Sequence, residues 1–437
     1  MADSYGRIKL IKGTKLIDGN GGPPLDNGAI LIEDGIIKEI GTPETITLAE
    51  DVNVEEFTYE GASILPGLVD CHVHLNGFGD GRPGDDLAKE PDELLILQSA
   101  KNAKSHLFSG VTTIRDLGSK NQTSLILKKA AEQGIVLAPR LIVCGRPIAI
   151  IGGHLSYFGI EATGVVECRA VVRQLIKEGA DFIKITTTGG STKTSYSTHA
   201  SFTAEEITAI CDEAHKFGKH AVAHSIATQG MINALDSGID SIIHGSFLEP
   251  DGTSVFREDI AKRMTNDGVF LNPTLGQGHV RRIMLNDKLE AQGLTPEEQT
   301  ELDTQESSRA LRTNHLHKYQ AAGVQLVCGS DSSWQYYPMG AFQHEIDAHV
   351  EQAGQSPMDA IVSATRESAK SCWAEDKIGT LDVGKSADIL VVNGDPSKNI
   401  KNLWNTIDVF LGGELVDRTA PSDTIPASFI NDLYNWA

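Results

Sequence analysis

Cysteines are few in this sequence, and their spacing argues against cysteine-based frameworks. Six are scattered over 437 residues, and none belongs to a Cys-x-x-Cys pair. A structural zinc knuckle or a disulfide scaffold is therefore not expected. Several lie inside apolar runs, which predicts buried, reduced thiols in a cytoplasmic protein. Cys71, between Asp70 and His72, is expected to pack on the face of its strand opposite to the histidine.

The sequence also lacks long hydrophobic runs and an excess of positive charge. No run approaches the roughly 20 apolar residues of a membrane span, and the first residues show no apolar signal region. The net charge of -21 argues against binding to nucleic acids or anionic membranes, which need basic surfaces. Acidity of this kind indicates solubility and carries no information about a substrate. We therefore expect a cytoplasmic protein without a nucleic-acid or membrane partner.

Both ends of the chain have the pattern of β structure. An apolar run near the start is followed by a loop rich in glycine and proline, and the next run turns back on itself at Glu33-Asp34-Gly35. Strand patterns return near the end of the chain. We expect the two ends to pair in one small domain. The β-patterned segments are 8–17, 29–41, 387–393 and 406–413.

Between these ends, apolar β-branched runs alternate with amphipathic helical stretches. Continuous apolar strands spaced by helices indicate a parallel sheet that is buried on both faces, and the number of repeats fits eight βα units. We predict an α/β fold, with a (β/α)8 TIM-like barrel over residues 67–370 and a small β-sandwich domain formed by residues 1–66 and 371–437. The runs assigned to barrel strands are 111–116, 140–145, 182–185, 220–223, 241–243, 269–272 and 324–328, and the helices with the clearest ends are 124–133, 165–178 and the one that Thr203 begins with a capping box.

Polar residues follow the apolar runs at the points where a barrel enzyme places its chemistry. His72 and His74 are two residues apart, so a strand presents both on one face, and such a pair can occupy two coordination positions of zinc. His224 and His244 each follow an apolar run, about one βα unit apart. Taken alone, each of these two could equally be a core or loop histidine.

Lys184 and Asp331 complete the series, and Asp331 has an ordinary explanation as well. It follows Val-Cys-Gly-Ser and could be a helix N-cap. A lysine in a buried strand is costly unless it is paired or modified. After addition of carbon dioxide, Lys184 would become an anionic carbamate whose two oxygens could bridge two divalent cations.

The order His-x-His, Lys, His, His, Asp resembles that of the binuclear members of the amidohydrolase superfamily, and the resemblance covers nearly the whole chain. Leu65-Pro-Gly-Leu-Val-Asp-Cys-His-Val-His is similar to the family signature. Ile378-Gly-Thr-Leu-Asp-Val-Gly-Lys-Ser-Ala-Asp-Ile-Leu-Val-Val is similar to the segment with which such chains return to their small domain. The resemblance implies a hydrolase with two divalent metal ions, and zinc is the expected metal.

The resemblance also implies a role for each ligand. The His-x-His pair would bind the more buried metal, the two later histidines would bind the second, and carbamylated Lys184 would bridge both. Asp331 would contact the first metal and serve as the catalytic proton shuttle, taking the proton of a metal-bridged hydroxide and passing it to the departing nitrogen. The residues implied as metal ligands are His72, His74, Lys184, His224, His244 and Asp331.

Within the superfamily, Ile151-Gly-Gly-His-Leu resembles a loop of the prolidase (Xaa-Pro dipeptidase) and imidazolonepropionase-like branch. The resemblance implies that His154 is catalytic and faces the substrate carbonyl or oxyanion, whereas the ordinary alternative is a turn with a surface histidine. Tyr196, in the loop after the Lys184 strand, is a candidate for substrate binding. The short stretch after His154 departs from the prolidase pattern, so proline specificity is not implied. Candidates for binding a substrate carboxylate are Arg146, Lys193, Arg281 and Arg282.

Three interpretations remain open. The leading one is a metal-dependent amidohydrolase that cleaves the amide bond of a dipeptide (Xaa-Pro or another C-terminal residue) or an N-acyl amino acid, in a homo-oligomer. A second is a hydrolase of a cyclic amide, of a non-peptide amide such as an ochratoxin-like compound, or of a phosphotriester, although phosphotriesterase-like barrels usually lack the terminal sheet. A third is a non-catalytic scaffold relative, which would typically have lost ligands that this chain retains.

Overall fold

The computed structural model describes residues 8–48 and 52–419. The outermost parts of the predicted terminal domain, residues 1–7 and 420–437, lie outside the described residues. The strands are β1 (Ile8–Leu16), β2 (Leu25–Glu33), β3 (Ile36–Gly41), β4 (Val54–Pro66), β5 (Leu68–Val73), β6 (Val111–Asp116), β7 (Arg140–Val143), β8 (Ile148–Ala149), β9 (Ile160–Glu161), β10 (Ile183–Thr186), β11 (Ala221–Ala227), β12 (Ser241–Leu248), β13 (Phe270–Asn272), β14 (Ile389–Asn393), β15 (Thr406–Leu411) and β16 (Glu414–Leu415).

Helices fill most of the intervals between the strands of the central region. A π-helical turn (Ser363–Glu367) and a 3-10 helix (Ile400–Trp404) interrupt the last part of the chain. The α-helices are α1 (Gly84–Leu87), α2 (Asp92–Phe108), α3 (Thr123–Glu132), α4 (Gly164–Glu178), α5 (Ala204–Lys216), α6 (Thr228–Asp236), α7 (Glu258–Asp267), α8 (Gly276–Gln292), α9 (Pro296–Ala321), α10 (Gln343–Glu351), α11 (Pro357–Val362) and α12 (Ser368–Ser371).

Strands from both ends of the chain form one seven-stranded sheet in the order β16-β15-β14-β4-β1-β2-β3. The two ends meet where β14 pairs antiparallel with β4, so that Leu390 lies opposite Leu65. The predicted hairpin between β2 and β3 is confirmed. Asp34 and Gly35 have φ values of 52° and 80°, which suit a two-residue turn that matches the twist of the strands. The core of this sheet includes Ile11, Ile30, Ile64, Val391 and Phe410.

The central region contains two parallel sheets, β5-β6-β7 and β13-β12-β11-β10-β8-β9. The extended segment 325–332 lies between them. It forms isolated parallel bridges, from Leu326 to Leu271 in β13 and from Ser332 to Val73 in β5. On the other side, Asp181 N donates to Val143 O at 2.8 Å and joins β7 to the start of β10. Eight parallel segments of the described chain thus follow one another as in a (β/α)8 barrel, which confirms the predicted fold class.

The predicted helices agree with the structure to within one or two residues. Thr203 begins α5 with a reciprocal cap, because its Oγ1 accepts from Glu206 N at 3.3 Å and its N–H donates to Glu206 Oε2 at 2.9 Å. Gly179, with φ of 107°, ends α4. The segment predicted as a strand at 324–328 is extended but makes isolated bridges in place of a regular ladder.

The carboxyl ends of the parallel strands lie at one edge of the barrel, where the predicted ligands were expected. β4 ends at Pro66 and β5 begins at Leu68, so the terminal sheet continues directly into the first barrel strand. The domain boundaries at residues 66 and 371 stay a prediction.

Within residues 8–48 and 52–419, the helices are too short or too polar to span a lipid bilayer.

Candidate metal centre

Two histidines and one carboxylate converge at the end of β5. His72 Nε2 and His74 Nε2 lie 3.4 Å apart. Asp331 Oδ1 lies 3.3 Å from the first nitrogen and 3.5 Å from the second. Because the three donor atoms surround one point and all three side chains are buried, this group could hold a metal ion.

The outer nitrogens of this histidine pair are held by fixed acceptors. His72 Nδ1 donates to Asn272 Oδ1 at 2.9 Å, and His74 Nδ1 donates to the carbonyl oxygen of Gly118 at 2.9 Å. Since each Nδ1 carries the proton, each Nε2 presents its lone pair towards the other histidine and Asp331. This orientation of ligand histidines by outer acceptors is usual in metal sites.

A second pair of histidines lies beside the first. His224 in β11 and His244 in β12 approach with Nδ1 and Nε2 3.0 Å apart. His224 Nε2 donates to Gly189 O at 3.1 Å, which leaves its Nδ1 unprotonated. Thr274 Oγ1 donates to the Pro273 carbonyl, so it accepts from His244 Nδ1 at 2.8 Å. Both inward nitrogens therefore carry lone pairs and suit a second cation.

Burial keeps all four histidines neutral. It lowers the pKa of His74 to about 3 and the pKa values of the other three well below their usual range. The positive charge of Lys184 lowers each of them further. Neutral imidazole is the form that binds metals, so this electrostatic environment favours ligation over protonation.

Lys184 in β10 has 1% of its surface exposed, and its amine has no hydrogen-bond partner among the described residues. Burial lowers the pKa of its ammonium group to about 7, although Asp331 raises it. Burial raises the pKa of Asp331 to about 8, and Lys184 opposes that rise. Without metals, burial thus favours the neutral amine of Lys184 and the neutral carboxyl group of Asp331. Cations at the two histidine pairs would favour the anionic carboxylate.

Two of these residues have backbone conformations that are rare outside glycine. His244 has φ of 71° and Asp331 has φ of 53°. Non-glycine residues in the left-handed region cost free energy and persist where neighbouring contacts hold them, as at functional sites. Asp331 N donates to His72 O at 2.7 Å, which fixes its backbone against the end of β5.

The amidohydrolase family profile matches residues 63–416, a range that contains all six predicted ligands. This chain belongs to the amidohydrolase family. It is therefore a hydrolase that acts on carbon–nitrogen bonds, and the predicted superfamily is confirmed.

Individual relatives of this amidohydrolase support the predicted branch. Ochratoxinase of Aspergillus niger is 27% identical over 429 residues, which cover 90% of this chain and 83% of the relative. The crystal structure of a putative prolidase from Bifidobacterium longum has a TM-score of 0.78 at 27% identity and covers 98% of both chains. A Xaa-Pro dipeptidase with bound methionine in its active site has a TM-score of 0.77 at 28% identity, covering 94% of this chain and 99% of that one.

A cavity of about 290 Å³ opens above the metal centre of this amidohydrolase. Its wall includes the segment 81–85 between β5 and α2, and the segment 334–335. The ring of Trp334 lies 5.1 Å from that of His74, centroid to centroid. The side chains that line it include Arg82, His154, Tyr157, Ile226, Gln277 and Trp334.

His154 lies in this cavity, and Tyr196 does not line it. The ring centroid of His154 is 4.2 Å from that of His224, and burial lowers its pKa to about 3. Gly190 lets the backbone approach this ring, since a Cβ there would lie 2.6 Å from His154 Nδ1. Tyr196 is 73% exposed and stacks edge-on against His199. The tyrosine in the wall is Tyr157.

None of the predicted carboxylate-binding cations lines the cavity. Arg146 pairs with Glu178, and Arg281 pairs with Glu301. Arg282 lies near Glu351, and Lys193 is exposed. Among the described lining residues, Arg82 is the one lysine or arginine. It pairs with Asp80 and Glu90 and lies over the ring of Phe78, 4.4 Å from the centroid.

Asp70 is a buried residue of the centre to which the sequence interpretation gave no role. Its carboxylate accepts from Ser330 N at 2.9 Å, from Ser330 Oγ at 2.5 Å and from His106 Nε2 at 2.8 Å. These bonds tie β5 to the segment that carries Asp331. Asp70 is two residues before His72, on the same face of the strand, and this spacing could have identified it.

A larger cleft lies elsewhere in the described chain. It has about 690 Å³ and surrounds the amino ends of β7, β10 and β11, with Arg140, His220 and Trp373 in its wall. None of the six predicted ligands lines it. Barrel enzymes carry out chemistry at the carboxyl ends of their strands, so the smaller cavity is the candidate active site.

Proposed function

We propose that this amidohydrolase hydrolyses the amide bond of a dipeptide or an N-acyl amino acid with the aid of two divalent metal ions. The observation that supports this most strongly is the pairing of donor atoms at the cavity floor. His72, His74 and Asp331 offer one group of ligands, and His224 with His244 offers a second. The similarity to an ochratoxinase and to a Xaa-Pro dipeptidase supports an amide substrate.

Lys184 completes the proposed centre as a carbamate. With a pKa lowered to about 7, a large share of its amine is neutral near physiological pH. The nitrogen lone pair forms a bond to the carbon of carbon dioxide and the amine loses a proton, which leaves one negative charge over two oxygens. That product would remove a buried positive charge, and its oxygens could serve as metal ligands. Histidine, carboxylate and carbamate donors suit zinc.

Bound divalent cations lower the pKa of a water molecule and polarise a carbonyl group. Asp331 is the proposed proton carrier, because its Oδ1 lies beside His72 and His74 while its side chain reaches the cavity. It accepts the proton of the attacking water and donates it to the leaving nitrogen. His154 is neutral, so it can donate an N–H to the substrate oxygen without bringing a full charge into the site.

The cavity dimensions support a small substrate. A volume of about 290 Å³ is at the lower end of ligand sites and suits a dipeptide-sized amide. Trp334, Tyr157 and Ile226 offer apolar contact to a side chain, and Arg82 offers a cation at the rim. An aromatic amide of the ochratoxin type is the second candidate, since ochratoxinase aligns with 90% of this chain.

A substrate screen tests the proposal. The purified chain is supplied with zinc and bicarbonate and incubated with Xaa-Yaa dipeptides, N-acyl amino acids and ochratoxin-like amides, and the released amino acid is measured by class. We expect release from at least one dipeptide or N-acyl class and none from the His72→Ala variant. Purified wild-type protein without bound metal, or release by both proteins alike, would contradict the proposal.

A further inference from the structure

A second group of metal-ligating side chains lies outside the barrel mouth, between α8 and α10. His279 is on α8, and His344 and Asp347 are on α10. One ligand atom from each residue lies within 4.8 Å of the other two. On α10 the two residues are three positions apart, so they lie on the same helix face. None of the three belongs to the cavity described above.

The inward atoms of this group lack hydrogen-bond partners among the described residues. They are His279 Nε2, His344 Nδ1 and Asp347 Oδ1, and each atom is fully buried. A buried polar atom without a partner costs about 1–3 kcal/mol, and native proteins contain only a few per 100 residues. Because these three side chains bring ligand atoms within 4.8 Å of one another, one common partner could serve all three.

For two of these side chains, the other polar atom already has neighbours. Asp347 Oδ2 accepts from Trp404 Nε1 at 2.9 Å and from Lys401 Nζ at 2.8 Å. His279 Nδ1 faces both Arg282 Nη2, at 3.4 Å, and Glu351 Oε2, at 3.8 Å. With the imidazole proton on Nδ1 and directed to this carboxylate, His279 Nε2 carries the lone pair that a metal needs. Asp347 Oδ1 and His279 Nε2 are thus oriented by polar neighbours, as is common for residues that bind metals, and His344 is positioned by ring contacts with His279 and Trp404.

Two carboxylates and two cations surround this group, and the cations are Lys401 and Arg282. Asp347 and Glu351 contribute two carboxylates, and Glu351 Oε2 lies 3.8 Å from His279 Nδ1. Lys401, which offsets them, is half exposed and can turn to solvent. Burial lowers the pKa of His279 to about 4 and also lowers the pKa of His344.

We propose that His279, His344 and Asp347 bind one divalent transition-metal ion, with zinc as the best match. Two imidazole nitrogens and one carboxylate oxygen suit tetrahedral zinc, with a water molecule as the fourth ligand. The ion joins α8 to α10 and, through Asp347, to the 3-10 helix near the terminal sheet. This site is separate from the proposed catalytic centre and needs no reaction at the barrel mouth.

The ion would also stabilise the part of the active-site cavity wall that Gln277 forms. Gln277, two residues before His279 on α8, donates its Nε2 proton to the carbonyl oxygen of Asp331 at 2.7 Å. Glu345 on α10 accepts from Gly276 N and so fastens the start of α8. A metal between the two helices therefore acts close to the backbone that carries Asp331.

Metal analysis of the full chain tests the site. The protein is stripped with chelator, reloaded with zinc and desalted, and the zinc content of wild type is compared with that of His344→Gln. We expect the variant to hold about one zinc ion fewer per chain. The matched control is His317→Gln, which changes an exposed histidine on α9 and should leave the zinc content unchanged. Equal zinc in wild type and His344→Gln would overturn the proposal.

Two further measurements keep the test decisive if His344→Gln folds poorly. Asp347→Asn keeps the hydrogen-bonded shape and should also hold about one zinc ion fewer. Crystals of the zinc-loaded wild type should give an anomalous difference peak at the zinc edge between α8 and α10. Crystals without that peak would overturn the proposal, even if the catalytic centre is loaded.

Discussion

Lys184 is the residue whose environment departs furthest from the usual surroundings of its side chain. Its ammonium group is buried in a parallel strand, where a positive charge is costly unless it is neutralised. The series of residue types allowed its role to be inferred from sequence, because a lysine between His-x-His and two later histidines is hard to explain by packing alone. The depth of its burial supports that inference.

Replacing Lys184 with alanine should remove the bridge of the proposed centre. We expect Lys184→Ala to lose metal and activity, with partial recovery when a short carboxylic acid is added, because its carboxylate can occupy the space of the carbamate. Metal analysis and turnover, with and without the acid, measure this. The control Lys177→Ala changes an exposed lysine on α4 and should behave as wild type. Unaffected metal content in Lys184→Ala would argue against the bridge.

Asp331→Asn separates metal binding from proton transfer. The amide keeps an oxygen near His72 and His74 but cannot carry the proton, so we expect metal to be retained and turnover to fall about 10²–10⁴-fold. Metal content and initial rates on a substrate from the screen provide the measurement. Asp287→Asn, on the exposed side of α8, is the matched control. Unchanged turnover in Asp331→Asn would assign the proton transfer to another group.

Asn272 acts on the centre through His72. Its Oδ1 holds His72 Nδ1, and its own Nδ2 donates to Gly329 O at 3.0 Å. Asn272→Ala should therefore weaken metal binding about 10–100-fold through loss of ligand orientation, measured by competition with a chelator. The control is Asn314→Ala at an exposed position of α9. Equal affinities in both variants would show that His72 keeps its orientation without this bond.

At the scale of elements, periodicity predicted most helices and strands because each pattern is local. The capping box at Thr203 and the hairpin at Asp34-Gly35 have short, specific signatures, and the structure has both. The extended segment 325–332 was harder to predict. Its hydrogen bonds go to β5 and β13, which are distant in sequence, and its left-handed Asp331 departs from strand geometry.

The start of α5 offers a test of element stability. Thr203→Ala removes the side-chain acceptor for Glu206 N, so we expect the free energy of unfolding to fall by about 1 kcal/mol. Urea denaturation followed by circular dichroism measures it. Thr300→Ala, at a solvent-exposed position within α9, should change the free energy of unfolding by less than about 0.5 kcal/mol. Equal effects of both substitutions would mean that the cap contributes little.

At the scale of the whole molecule, the sequence indicated that the two ends of the chain pair, but it could not define the cavity. The cavity wall is assembled from residues 81–85, 154–157, 226, 277 and 334–335. These loops meet only because the barrel brings strand ends together. The placement of Arg82 and Tyr157, and the distance of Tyr196 from the cavity, depend on loop conformations for which no periodic pattern exists.

The joint sheet should contribute to the stability of the whole chain. Ile64 is fully buried where β4 contacts both β1 and β14. Ile64→Ala should lower the free energy of unfolding by about 2–5 kcal/mol while leaving the metal content unchanged. Denaturant unfolding should show one transition at lower midpoint. The control Ile407→Ala, at an exposed position of β15, should have a small effect. A separate early transition in Ile64→Ala would show that the sheet unfolds independently.

The pairing of β4 with β14 also sets an order of events during protein synthesis. Leu65 and its partner Leu390 are more than 300 residues apart. At about 5–20 residues per second, a ribosome needs on the order of 15–65 s to produce the second strand after the first. Throughout that time one edge of β4 is exposed and can pair with other chains. We therefore expect chains that end before residue 389 to aggregate more readily than the full chain, because β14 is the strand that covers this edge.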